Sequence, residues 1–282
     1  MPLPDYLSTY QSQLDRMIEE HGYDRAIELV VGGQFEEVSM LEKSLLIHLG
    51  LKPTDTLVDV GTGSGRLPYG LRDYLTGKFI GTDILEEALR FARDRCERRD
   101  WTFARTTDIE IPVPEHTADF VTFFSVFTHL LDEDIYRFLA AARRALRPDG
   151  RIVFSFLDFD CDTHWIIFQK TVEDTRPDRV LNKFTTKDTI RRLTRALGLR
   201  EEQIRDGTDH WIPILEPVDC EDGRRLEGVV GFGQSVAVLS VFPENHYLTR
   251  YPDVAAAVAA GDFTSGAHHF DTCGFREGRS VG

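Results

Sequence analysis

Between positions 57 and 66 the chain reads Leu57-Val58-Asp59-Val60-Gly61-Thr62-Gly63-Ser64-Gly65-Arg66, an apolar run closed by glycines at alternating positions. Glycine reaches left-handed φ without penalty and lets a ligand approach the main chain closely. An apolar strand that feeds such a loop into a helix places the ligand at the helix N-terminus, beyond the carboxyl end of a sheet. Arg66 stands where a dinucleotide loop of the form G-x-G-x-x-G needs its third glycine, and no Lys-Ser/Thr follows as in a phosphate-cradling loop. The loop therefore suits a ligand other than a dinucleotide or a nucleoside triphosphate.

Four further elements follow in order. Lys78-Phe79-Ile80-Gly81-Thr82-Asp83 reads as a second strand ending in an acid, about 20 residues past the glycine loop, where a carboxylate suits two ribose hydroxyls. Trp101 to Arg105 reads as a short third strand leading to Thr107-Asp108-Ile109. Ala118 to Leu130 reads as a fourth strand and its exit loop, with Ser125 where the strand opens. Leu146-Arg147-Pro148-Asp149-Gly150 and the apolar run to Phe156 read as a turn and a fifth strand.

This succession, over roughly residues 36 to 158, resembles the class I S-adenosylmethionine-dependent methyltransferases. The resemblance implies an α/β fold: a Rossmann-like, mostly parallel sheet of seven strands with helices on both faces. It implies an enzyme with S-adenosylmethionine as cofactor and S-adenosylhomocysteine as product. Gly61, Thr62, Gly63 and Gly65 would then open the backbone to the methionine end, with Asp59 orienting the loop toward the cofactor's ammonium. Asp83 and Ile84 would meet the ribose, Asp108 and Ile109 the adenine, and the Ser125 backbone would accept a hydrogen bond from the ammonium.

Composition narrows the acceptor. The 282 residues carry a net charge of -14, and no basic stripe offsets phosphate repulsion, so a nucleic-acid acceptor is not expected. The start, Met1-Pro2-Leu3-Pro4, has neither a charged nor an apolar leader region, so no signal peptide is expected, and no apolar run approaches membrane-spanning length. Cys96, Cys161, Cys220 and Cys273 are far apart and read as free thiols, which fits a cytoplasmic protein better than a zinc site or a disulfide frame. Asp158, Asp160 and Asp162 alternate, but Thr163 and Gln169 occupy the sixth and twelfth positions of a calcium loop, so no metal is expected there.

Three segments emerge: an N-terminal helical cap or lid over 1–50, the methyltransferase domain over 51–242 and a C-terminal helical module over 243–282. Helical spacing runs from Tyr6 to Glu20, resumes after Gly22, and leads through Glu36 to Gly50 into the first strand. In the methyltransferases it resembles, this N-terminal segment lies over the cofactor as a lid; a cap on the sheet edge is the alternative. Asp132 reads as the N-cap of a helix to Leu146, and Val229 to Phe242 as one of two closing strands, while 207–228 carries no legible pattern. After Pro243, Tyr251-Pro252-Asp253-Val254-Ala255 and Gly274-Phe275-Arg276-Glu277-Gly278-Arg279 resemble a small helical module appended to bacterial glycosyltransferases and surface proteins. That tail would serve protein docking or oligomer contact, or pack on the catalytic domain.

Methyl transfer from a sulfonium to a hydroxyl needs positioning and removal of a proton. His129, four residues past Ser125, suits the base, because imidazole titrates in the useful range; it equally suits bracing a helix. The pairs His164-Trp165 and His210-Trp211 fall where this fold builds an acceptor pocket, so a small-molecule or glycan acceptor stacking on a tryptophan is expected. Transfer to a carboxylate or amine of a secondary metabolite, and cofactor binding without turnover, are the other readings.

Overall fold

The computed structural model describes residues 6–30, 33–176 and 179–281. The chain opens with three helices, α1 (Tyr6–His21), α2 (Tyr23–Val30) and α3 (Phe35–His48). Gly22, at φ 79°, separates the first two, a backbone setting that costs glycine little. Then come β1 (Leu57–Val60), α4 (Arg66–Leu71), β2 (Phe79–Asp83), α5 (Glu86–Cys96), β3 (Thr102–Arg105) and β4 (Ala118–Phe123). A 3-10 turn (Phe127–His129) precedes α6 (Asp132–Ala145), β5 (Leu146–Asp158), α7 (Asp162–Glu173), β6 (Phe184–Thr185), α8 (Lys187–Ala196) and β7 (Leu199–Arg205). The short strands β8 (Ile212–Pro213), β9 (Val218–Asp219), β10 (Arg225–Leu226) and β11 (Val229–Val230) lead to β12 (Ser235–Val241). The tail holds α9 (Glu244–Arg250), α10 (Pro252–Ala260), α11 (Gly266–His269) and a π-helical turn (Phe270–Gly274).

The sheet has the order β3-β2-β1-β4-β5-β12-β7. The first five strands are parallel, and β12 runs antiparallel between β5 and β7. This is the expected seven-strand path. An eighth strand, β6, extends it by pairing with the last two residues of β5. Side chains alternate between the two faces, as strand period demands. Val236 and Val238 of β12 join Leu45, Leu67 and Leu89 on one side; Ala237 and Leu239 join Phe123, Leu139 and Ile190 on the other. Helices cover both faces, and β1, at the centre of the parallel strands, is buried along its whole length.

Two local expectations are corrected. Asp132 lies within the first turn of α6, whose N-cap is Leu131, and it pairs with Lys183 at 2.9 Å instead of capping. The strand expected from Val229 to Phe242 is divided, because Val229–Val230 pairs with β8 and a turn through Gly233 (φ 82°) intervenes before β12. Residues 207–228, silent in the sequence, form the hairpin β9–β10 and the strand β8, which pairs with β11, beside α3, where the Glu221 amide donates to Glu37 at 2.7 Å.

The tail buries Tyr247, Val254 and Val281 with Phe242 in a cluster of its own, and Asp271 reaches Arg195 of α8 at 3.5 Å. Among the described residues, no helix is long and apolar enough to cross a membrane. All four cysteines are free, three of them buried.

Candidate active site

A cavity of ≈ 490 Å³ opens at the carboxyl ends of β1, β2 and β4, where the strand order reverses. That switch point is where open α/β sheets bind ligands. Its floor is the glycine loop and its roof is α1, which contributes Tyr6, Tyr10, Gln13 and Arg16.

The loop leaves β1 still tied to β2, since the Gly61 and Thr62 amides donate to the Thr82 carbonyl at 2.8 and 2.9 Å. Asp83 finishes the tie. One of its carboxylate oxygens accepts the Gly63 amide at 2.9 Å and the other the Leu85 amide at 2.9 Å. Burial pushes the Asp83 carboxyl upward, against the pull of those amides. Gly61, Thr62, Gly63, Asp83, Ile84 and Ser125 all line the cavity. At Gly61 (φ 72°) an added Cβ would collide with Val126, so this glycine lets the β1 loop meet the β4 exit.

Other expected cofactor residues lie elsewhere. Gly65 (φ 87°) faces away from the wall: its missing Cβ makes room for Ala92, whose Cα would stand 2.9 Å from it. Its role is the close packing of α4 on α5. Asp59 is buried beneath the loop, where the Thr122 hydroxyl donates to it at 2.7 Å, and burial lifts its carboxyl to about 6. It braces β1 against β4 and is not part of the wall. Asp108 is exposed and outside the wall, and Ile109 packs on the α6 side of the sheet; Thr106 lines the cavity in their place.

Ser125 adopts left-handed φ (57°), costly for a residue with a Cβ, and three bonds hold it there. Its amide donates to Ser155 Oγ at 2.8 Å, its carbonyl accepts from Thr128 Oγ1 at 2.9 Å, and its hydroxyl accepts from Gln234 Nε2 at 3.2 Å. Gln234 Oε1, buried at the cavity, has no partner among the described residues. An acceptor atom in that state is satisfied by a donor from a ligand or a water in the cavity.

His129 lies on the cavity wall with Nδ1 2.6 Å from the Leu181 carbonyl. A carbonyl only accepts, so Nδ1 carries the proton and Nε2 keeps its lone pair. Burial lowers the imidazole below its ordinary value, outweighing the Leu181 bond, and keeps it neutral at pH 7. The Tyr10 ring stands edge-on at 5.8 Å. Burial, with Asp83 nearby, holds the Tyr10 phenol well above its usual range and therefore protonated.

None of the four expected acceptor residues lines this cavity. His164 is fully buried, accepting the Asp158 amide on Nδ1 at 2.8 Å and bonding the Gly233 carbonyl through Nε2 at 3.0 Å. It clips β5 to the turn before β12. Trp165 is on the exposed face of α7, stacked on Phe168. His210 is exposed, and Trp211 packs on the α3 side of the core beside His48. The wall instead takes Arg176, Arg179 and Asn182 from the segment after α7, together with Arg66. No local pattern marked that segment; only its place after strand five connects it to the acceptor side. Asp158, for its part, pairs with Lys187 at 3.4 Å and accepts the Asp160 amide at 3.1 Å.

Residues 58–154 match the family model described as Methyltransferase domain. A demethylmenaquinone methyltransferase of Tropheryma whipplei is 33% identical over 106 residues, which are 37% of this chain and 43% of that protein. An uncharacterized methyltransferase of Schizosaccharomyces pombe is 27% identical over 112 residues, 36% of this chain and 40% of that one. The chain thus spans less than half the length of the curated relatives it matches. Among solved structures, a SAM-dependent methyltransferase of Thermotoga maritima superposes with a TM-score of 0.53 at 17% identity, covering 81% of this chain and 99% of that one. At that identity the likeness shows the fold. The family match thus covers about a third of the chain, residues 58–154, and the likeness to the solved structure shows the fold over 81% of it.

Proposed function

We propose that this chain moves the methyl group of S-adenosylmethionine to a hydroxyl of a small polar acceptor, with His129 taking the proton. The observation that carries the reading is the bond between His129 Nδ1 and the Leu181 carbonyl, which leaves Nε2 as a fixed acceptor beside the cavity. The cofactor supplies an already activated methyl group, so the protein's work is positioning, exclusion of water and proton removal. The residues present suit it: a glycine loop tied down by Asp83, a left-handed Ser125 and an unpartnered Gln234 Oε1 surround a cavity of suitable size. Within this reading the tail's resemblance favours a sugar or glycan hydroxyl.

One observation favours a second acceptor. Arg16, Arg66 and Arg179 line the same cavity as Asp83, while Arg176 there is paired with Asp174 at 2.7 Å. Guanidinium groups pair well with carboxylates, so a carboxylate-bearing acceptor also fits, methylated on that group without a base. The test is transfer of labelled methyl from S-adenosylmethionine to panels of polyols, carboxylic acids and amines. Labelled polyols that require His129 support the first reading; labelled acids indifferent to His129 support the second. Binding without transfer to any panel leaves a cofactor-binding protein and overturns both.

A further inference from the structure

We propose that the tail carries a binding site for a zinc-class divalent cation, formed by His269, Cys273 and Glu277. The three ligand atoms, an imidazole nitrogen, the thiol sulfur and a carboxylate oxygen, all lie within 4.8 Å of one another. They recur every fourth residue, and the π-helical turn over Phe270–Gly274 sets the face they share. Local π geometry is rare and concentrates at functional sites. An imidazole, a thiolate and a carboxylate form a borderline-soft set that favours Zn²⁺, with water taking the fourth tetrahedral position. Ligand bonds of about 2.0–2.3 Å require the set to close by roughly 1 Å.

The surroundings are those of a held ligand. Tyr247, fully buried, places its hydroxyl 3.0 Å from His269 Nδ1. That contact fixes the ring and leaves Nε2 for the ion, as outer partners of metal-bound histidines do. Glu277 Oε2 lies 3.7 Å from His269 Nε2 and is also bonded by Arg279 at 2.7 Å. Arg279 is in turn met by both oxygens of Asp253, at 2.9 and 2.6 Å, so its charge is answered without Glu277. On binding, the thiol releases its proton to solvent and sulfur donates the electron pair to the metal. A forty-residue segment that contributes three buried apolar side chains, Tyr247, Val254 and Val281, to its cluster gains a staple in this way.

The probe is Co²⁺ alone, added to the reduced full-length chain, with Zn²⁺ as competitor. One equivalent should give a thiolate-to-cobalt charge-transfer band with the intense visible absorption of a tetrahedral site, erased by Zn²⁺. Cys273→Ser should abolish the band, exposed Glu277→Gln should weaken binding, and Tyr247→Phe should weaken it by about 10–100-fold. Cys220→Ser is the control, because Glu37, Cys220 and Asp222 form a second cluster of similar composition. A wild-type chain that gives no band overturns the proposal, as does a band that survives Cys273→Ser or vanishes in Cys220→Ser.

Discussion

Asp83 accepts the Gly63 amide at 2.9 Å, so the acid that ends β2 governs the shape of a loop twenty residues before it. Cofactor affinity and loop geometry are thereby one property. Asp83→Ala leaves two amides without their charged acceptor, a cost of about 1–3 kcal/mol. Calorimetry with S-adenosylhomocysteine should show the dissociation constant rising by about 10–100-fold, while NAD binds neither protein. An unchanged constant removes Asp83 from the site.

His129→Ala should lower the turnover number by about 10²–10⁴-fold and leave S-adenosylhomocysteine affinity nearly as it was. Because burial lowers the His129 imidazole, its acid limb should fall below the ordinary value near 6.5. Activity is then full at neutral pH and declines only as the medium becomes acidic enough to protonate Nε2. A profile with no acid limb on an active hydroxyl acceptor assigns His129 to bracing the 174–182 segment.

Glu42, buried on α3, is lifted to about 8, chiefly by loss of solvent, with Arg66 opposing and Asp59 adding. A carboxyl raised above its unfolded value near 4.5 stabilises the fold below that pH, and the stability is lost as pH rises through about 8. Glu42→Gln keeps the shape without the titration. Thermal midpoints measured between pH 6 and 9 should fall for the wild type and stay flatter for the variant. Parallel slopes would mean the charge is accommodated elsewhere.

Gly65→Ala brings a Cβ to within 2.7 Å of the Ala92 Cβ at a left-handed φ. Both strains act on helix packing, and together they should cost about 2–4 kcal/mol. The melting midpoint should drop by several degrees. Binding measured well below that midpoint should change less than in Asp83→Ala, a difference that separates a packing glycine from one at the ligand.

Deleting residues 243–282 removes no strand of the central sheet, and the side chains it takes away pack mostly on each other. The truncated chain should melt with an apolar patch at Phe242 and still be stabilised by S-adenosylhomocysteine. Insoluble or non-binding protein would show that the tail belongs to the catalytic core.

The first strands were legible because β1 is a short apolar run followed by the glycine loop and β2 a short run ending in Asp83, and those signals are local. What the sequence misplaced depends on contacts across the fold. Spacing marks Gly65 as a loop glycine, but whether a missing Cβ faces a ligand or Ala92 depends on a helix 27 positions away. His164 resembles an acceptor residue until the Asp158 amide and the Gly233 carbonyl are seen to occupy both its nitrogens. Asp108 sits at the right distance along the chain and still faces solvent. Arg176 and Arg179 gave no signal, since nothing local distinguishes a guanidinium at a cavity from one on a surface.

Tyr6 clasps the roof shut at one end: its hydroxyl donates to Asp134 at 3.1 Å and accepts the Leu131 amide at 3.2 Å. A single phenol thus fastens the first helix to both the N-cap and the first turn of α6, so the roof of the cavity and the exit of β4 share one anchor.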